Sequence, residues 1–132
     1  MNTRLYAVVV LAVTTLCTAL SAAETTNESL AQVKKAIGEK QAVLVDVREK
    51  REWDSGHVAG AVLLPLSELQ AKGAAERLAA KLPKDKVIYT HCVVGKRAVT
   101  AGTILEQQGY KVRCLKPGYK ELINAGFEKA KD

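Results

Sequence analysis

The chain is poor in aromatic residues: one Trp, one Phe and four Tyr among 132 residues. The few rings do not alternate with Lys and Arg. A base-stacking nucleic-acid surface is therefore not indicated, although the net charge is +6. Only two histidines and three cysteines are present, with no Cys-x-x-Cys and no Cys/His spacing of a zinc site. We therefore expect neither a metal nor a dithiol redox motif. No apolar run reaches the ~20 residues of a stable membrane helix. Repeats, low-complexity tracts and long charge blocks are also missing. The basic balance then speaks for solubility and for attraction of small anions.

What is there begins with a leader pattern. Arg4 precedes an apolar stretch from Leu5 to Leu16, broken only by Thr14 and Thr15, and Ser21 and Ala23 are small residues at signal-peptidase spacing. This predicts a signal peptide over residues 1–23, cleaved after Ala23, and a periplasmic or secreted domain over residues 24–132. An uncleaved anchor is the alternative, and the membrane would then be met only through this segment. Removing residues 1–23 takes away Arg4 and leaves 109 residues with 19 basic and 14 acidic side chains, a net charge of +5. That length supports one domain around one core.

Within that domain, Thr25-Thr26-Asn27 offers helix caps ahead of Leu30, Val33 and Ile37, with Gly38 as the stop. Ala42 to Asp46 reads as a strand covered on both faces. Glu49 to Ser55 reads as a helical turn or two, and Ala61 to Leu64 as a second strand ended by Pro65. A capping-box pattern at Ser67 opens a helix running to Pro83, slightly weakened by Gly73. Lys86 to His91 is a third strand, Ala98 to Gly109 a helix, Lys111 to Leu115 a fourth strand and Tyr119 to Ala125 a last helix. Strands alternating with helices predict an α/β domain with a central parallel sheet of four to five strands and helices on both faces.

In such sheets, sites lie beyond the carboxyl ends of strands. Cys92 stands at one of these ends, followed by Val93, Val94, Gly95, Lys96 and Arg97 and then a helix. Gly95 permits a tight curl that turns amides inward. Inward amides and a helix N-terminus form an anion nest, and Lys96 and Arg97 add positive charge. Each favours thiolate over thiol, which marks Cys92 as a candidate nucleophile. A buried, inert cysteine is the competing reading.

Three landmarks in order resemble the single-domain rhodaneses, a family of sulfurtransferases. They are Val45-Asp46-Val47-Arg48-Glu49 with Glu52-Trp53-Asp54-Ser55-Gly56-His57-Val58-Ala59-Gly60-Ala61, the Cys92–Arg97 loop, and Leu115-Lys116-Pro117-Gly118-Tyr119 with Ala125-Gly126-Phe127. The small size and leader are similar to the exported phage-shock type of bacterial periplasms. The resemblance implies that the Cys92 thiolate takes sulfane sulfur from a small anionic donor such as thiosulfate. The resulting persulfide passes it to a cyanide or thiol acceptor, without a cofactor. It also implies that Val93, Val94, Gly95, Lys96 and Arg97 bind substrate. Related phosphatases carry one more residue between Cys and Arg, whereas here the spacing is Cys-x4-Arg. Val93 and Val94 depart from the polar or small residues of many relatives, and Pro117 replaces a usual Gly. The apolar pair favours a protein or apolar donor and keeps open a binding or sulfur-relay module. A small redox protein cycling Cys92 and Cys114 ranks last.

Asp46, Arg48 and His57 are expected to support the site rather than react. The first two read as a structural ion pair, and the resemblance places His57 as a structural residue near the active side. Glu49 and Glu52 read as a solvated helix face. Strand alternation turns His91 away from Cys92. Cys114 reads as a buried small residue, with a disulfide to Cys92 as its alternative.

Overall fold

The computed structural model describes residues 22–131. The leader reading therefore lies almost wholly outside the described residues. The element order is α1 (Leu30–Gly38), β1 (Ala42–Asp46), α2 (Lys50–Asp54), β2 (Val62–Leu63), α3 (Leu66–Leu69), α4 (Ala74–Ala79), β3 (Val87–His91), α5 (Lys96–Gln107), β4 (Lys111–Cys114) and α6 (Tyr119–Asn124). The four strands form one parallel sheet in the order β2-β1-β3-β4. Apolar residues on both faces of β1 and β3 require helices on both sides. Val45, Ile88, Cys92 and Cys114 pack with α3, α4 and α5, while Leu44, Tyr89 and Leu115 pack with α1 and α6.

Several boundaries differ from the sequence reading. The cap of α1 is Ser29, not the Thr25–Asn27 stretch: Ser29 Oγ accepts from Gln32 N, and Gln32 Oε1 accepts from Ser29 N. Thr25 instead bridges Cys114 in parallel, and Thr26 N donates to Cys114 O at 2.8 Å. The segment thereby adds a one-bridge strand to the β4 edge. Ala23 is buried there, with its N–H on Thr103 Oγ1 at 3.0 Å. The helix expected from Ser67 to Pro83 is two helices. Gly73 adopts φ 73° and caps α4, a left-handed turn that ends one helix and starts the next.

The parallel sheet gathers its strand ends on one side. Asp46 pairs in register with His91, and Cys92 follows immediately. The carboxyl ends of β1 and β3 therefore lie side by side, at the face where the loop ahead of α5 begins.

Candidate active site

Cys92 leaves β3 and enters a three-residue curl before α5. Gly95 closes that curl at φ 93° and caps the helix. Its N–H donates to Cys92 Sγ at 3.2 Å. The sulfur thus sits where an amide and the N-terminus of a 12-residue helix both favour negative charge. The curl rests on the segment after β4. A Cβ at Gly118 would lie 2.2 Å from Val93 O and 2.9 Å from Cys92 O, and one at Gly95 would lie 3.1 Å from Lys116 Cα. Backbone packs on backbone here, which fixes the loop.

The thiol itself is closed off. Cys92 is 1% exposed, whereas Val93 and Val94 above it are 49% and 68% exposed. This burial matches the competing reading of a buried cysteine, and a reacting Cys92 needs an opening onto its sulfur. The loop that carries the two exposed valines packs by its backbone on the 116–118 segment.

Among the charged residues of the loop, Lys96 is exposed and Arg97 is engaged. Arg97 Nη1 and Nη2 donate to Glu52 Oε2 and Oε1 at 2.7 and 2.9 Å. The Arg97 hydrogen bonds hold the Glu52 carboxyl down at about 2 from its ordinary 4.5, against the opposing effect of burial. Arg97 is in turn held more firmly charged, first by Glu52, with the Cys92 sulfur a smaller contributor. Glu52 also accepts from Glu49 N at 2.9 Å, and Glu49 Oε2 accepts from Ser67 Oγ at 2.7 Å. Glu49 and Glu52 are therefore not a solvated face but ties from α2 to α5 and to α3. Their partners lie 45 and 18 positions away, beyond the reach of local patterning.

Asp46 and Arg48 form the expected pair, and both are buried. Arg48 Nε and Nη2 donate to the Asp46 carboxylate at 2.7–3.0 Å, and Nη2 also donates to Gly56 O at 2.9 Å. The guanidinium lies 4.8 Å from the Tyr119 ring centre. The pair braces β1 against the α2–β2 turn and α6. His57 stacks on Trp53 with centroids 3.6 Å apart, and its Nδ1 lies 3.1 Å from Trp53 O. It belongs to this scaffold.

Sequence reasoning missed the condition of His91. Its Nε2 lies 3.7 Å from Asp46 Oδ2, it is fully buried, and neither ring nitrogen has a hydrogen-bond partner among the described residues. Burial, the largest influence, pushes its pKa below the usual imidazole value, and Arg48 acts in the same direction against Asp46. Cys114 lies on the α5 side with Val112, its sulfur against Gly102. Both Cys92 and Cys114 are free thiols, and burial pushes the Cys114 thiol up.

A lone cysteine under a glycine-capped strand-to-helix loop, at the carboxyl edge of a parallel sheet, defines a cysteine-loop α/β domain. Rhodanese-like domains match residues 29–125, and the chain belongs to that family. YqhL of Bacillus subtilis, an uncharacterised protein, is 30% identical over 95 residues, covering 71% of each chain. The thiosulfate sulfurtransferase PspE of Escherichia coli is 33% identical over 67 residues, 50% of this chain and 60% of PspE. The human single-domain sulfurtransferase TSTD1 superposes with a TM-score of 0.60 at 29% identity, covering 74% of this chain and 94% of that one. Its relatives thus place the chain in a sulfurtransferase class.

Proposed function

We propose that the chain is an exported sulfurtransferase that carries sulfane sulfur on Cys92. The observation behind this reading is the Gly95 N–H on Cys92 Sγ at the head of α5. In the first step the Cys92 thiolate attacks the outer sulfur of thiosulfate. A Cys92 S–S bond forms, the donor S–S bond breaks, and sulfite leaves with its electron pair. In the second, an acceptor thiolate or cyanide attacks the outer sulfur and Cys92 departs as thiolate. Amides of the loop stabilise the anion in both, and Lys96, exposed four residues on and without an ion-pair partner among the described residues, adds positive charge to the loop. Arg97 acts through Glu52 to hold the head of α5. Because Cys92 is 1% exposed, transfer requires an opening onto the sulfur.

Intact mass after incubation with thiosulfate tests this reading. One added sulfur atom on the wild type and none on Cys92→Ser is the expected result. No addition to the wild type from thiosulfate or polysulfide would overturn it. Export rests on the leader alone, and N-terminal sequencing of protein recovered from a periplasmic fraction tests it. A sulfur-relay module that turns over poorly by itself is the second reading, favoured by the exposed Val93–Val94 pair. It predicts loading without rapid cyanide turnover.

A further inference from the structure

Val93 and Val94 are the exposed large hydrophobic residues of the described chain. They sit on the turn that follows the nucleophile, with clefts on several sides. One is lined by Thr25, Lys96, Thr100 and Lys116, a second by Leu30, Lys116, Pro117 and Glu121, and a third by Arg48, Tyr119, Lys120 and Glu121. Val94 belongs to all three, so it is a crest rather than the floor of a pocket.

The charge around this crest is one-sided. Lys96, Lys116 and Lys120 are exposed, and none of them has an ion-pair partner among the described residues. Glu121, the one carboxylate lining these two Val93 clefts, is committed to Gly118 N at 3.1 Å. Nearby Glu52 is neutralised by Arg97. An apolar knob inside an uncompensated basic ring is complementary to an acidic surface with a small apolar hollow. A small anion would use the lysines but leaves the valines in water.

We propose that the Val93–Val94 crest, ringed by Lys96, Lys116 and Lys120, docks an acidic protein segment that presents apolar side chains beside the thiol exchanging sulfur with Cys92. The identity of the exchange rests on the sulfurtransferase reading; the docking does not. On transfer, the partner thiolate attacks the outer sulfur of the Cys92 persulfide. The persulfide S–S bond breaks, the partner becomes the persulfide, and Cys92 is released as thiolate.

The probe is a short fluorescent peptide with a central serine flanked by leucines and then glutamates, and a twin in which lysines replace the glutamates. Anisotropy with unloaded wild-type protein needs no sulfur chemistry. The acidic peptide is expected to bind roughly tenfold or more tightly than its twin at low salt. The preference should disappear near 1 M salt, where screening acts over ~3 Å. Lys116→Glu with Lys120→Glu, both on the surface, should abolish the preference, and Val94→Ser should weaken the acidic peptide alone. Equal binding of the two peptides, or none, overturns the proposal. Binding of anionic phospholipid vesicles with no binding of the acidic peptide also overturns it, in favour of a membrane surface. With cysteine in place of the central serine, the acidic peptide should draw sulfur from thiosulfate-loaded protein faster than its twin does. Peptide binding without any sulfur loading would sink the enzyme reading and leave the docking surface standing.

Discussion

The Arg97 guanidinium holds the Glu52 carboxylate through two bonds, of 2.7 and 2.9 Å, and so ties the start of α5 to α2. The arginine that the loop pattern offers to substrate is spent on the scaffold, and the lysine beside it is the one left to meet an anion.

Glu52→Gln is expected to loosen that tie and lower stability by about 1 kcal/mol. The pH dependence has a definite sign. The folded carboxyl lies at about 2 against an ordinary 4.5, so its contribution is complete above pH 4.5 and is lost as pH falls toward about 2. Denaturant midpoints measured across that window should fall less steeply in the variant.

Asp46→Asn leaves Arg48 buried beside an uncharged partner. Breaking one side of a buried pair costs about 3–5 kcal/mol. Urea unfolding should show a large loss of stability, greater than that of Glu52→Gln.

His91 gives a second, higher pH window. Its folded pKa lies below the ordinary 6.5, chiefly through burial. Its contribution is complete above about pH 6.5 and is lost as pH falls below that value. His91→Phe removes two unsatisfied ring nitrogens and should flatten the stability profile between pH 7.5 and 5, as read by thermal melts at each pH.

Gly118→Ala is a steric test of the loop. The residue has φ −97°, which any residue tolerates, so the added methyl acts only by pressing on Val93 O and Cys92 O. Sulfur loading by mass should slow roughly 10–100-fold, as expected for misplaced reacting groups. The circular-dichroism spectrum should remain native.

Cys114→Ala should load sulfur like the wild type, at a stability cost of about 1 kcal/mol for the lost packing. Mass analysis of native, unreduced protein should show no Cys92–Cys114 disulfide, in keeping with two free thiols.

Much of the fold was legible because apolar strands and glycine stops are local signals. Ala42–Asp46 and Lys86–His91 read as strands of a sheet covered on both faces, and Cys92 at the end of the second marked the site. The split at Gly73 was not legible, since a glycine within a helical pattern reads as a weak point until its φ is known. The Ser29-x-x-Gln32 box is written in the sequence, but the threonines before it offer caps of the same chemistry. Glu52 meeting Arg97, and the burial of Cys92 with its loop packed on residues 116–118, depend on segments brought together only by the folded sheet. The lack of hydrogen-bond partners for His91 among the described residues has no sequence signal at all.

The pairing of Thr25 and Thr26 with Cys114 has a consequence for how copies of this domain behave toward one another. A parallel sheet with a bare flank invites a neighbour's backbone to join it. Here one flank ends in the two-residue β2, followed by Pro65 after Leu64, and the other is capped by the chain's own entry segment. Trimming residues 22–27 would strip that cap from β4 and from Cys114, leaving an open strand edge able to seed polymerisation and cross-linking.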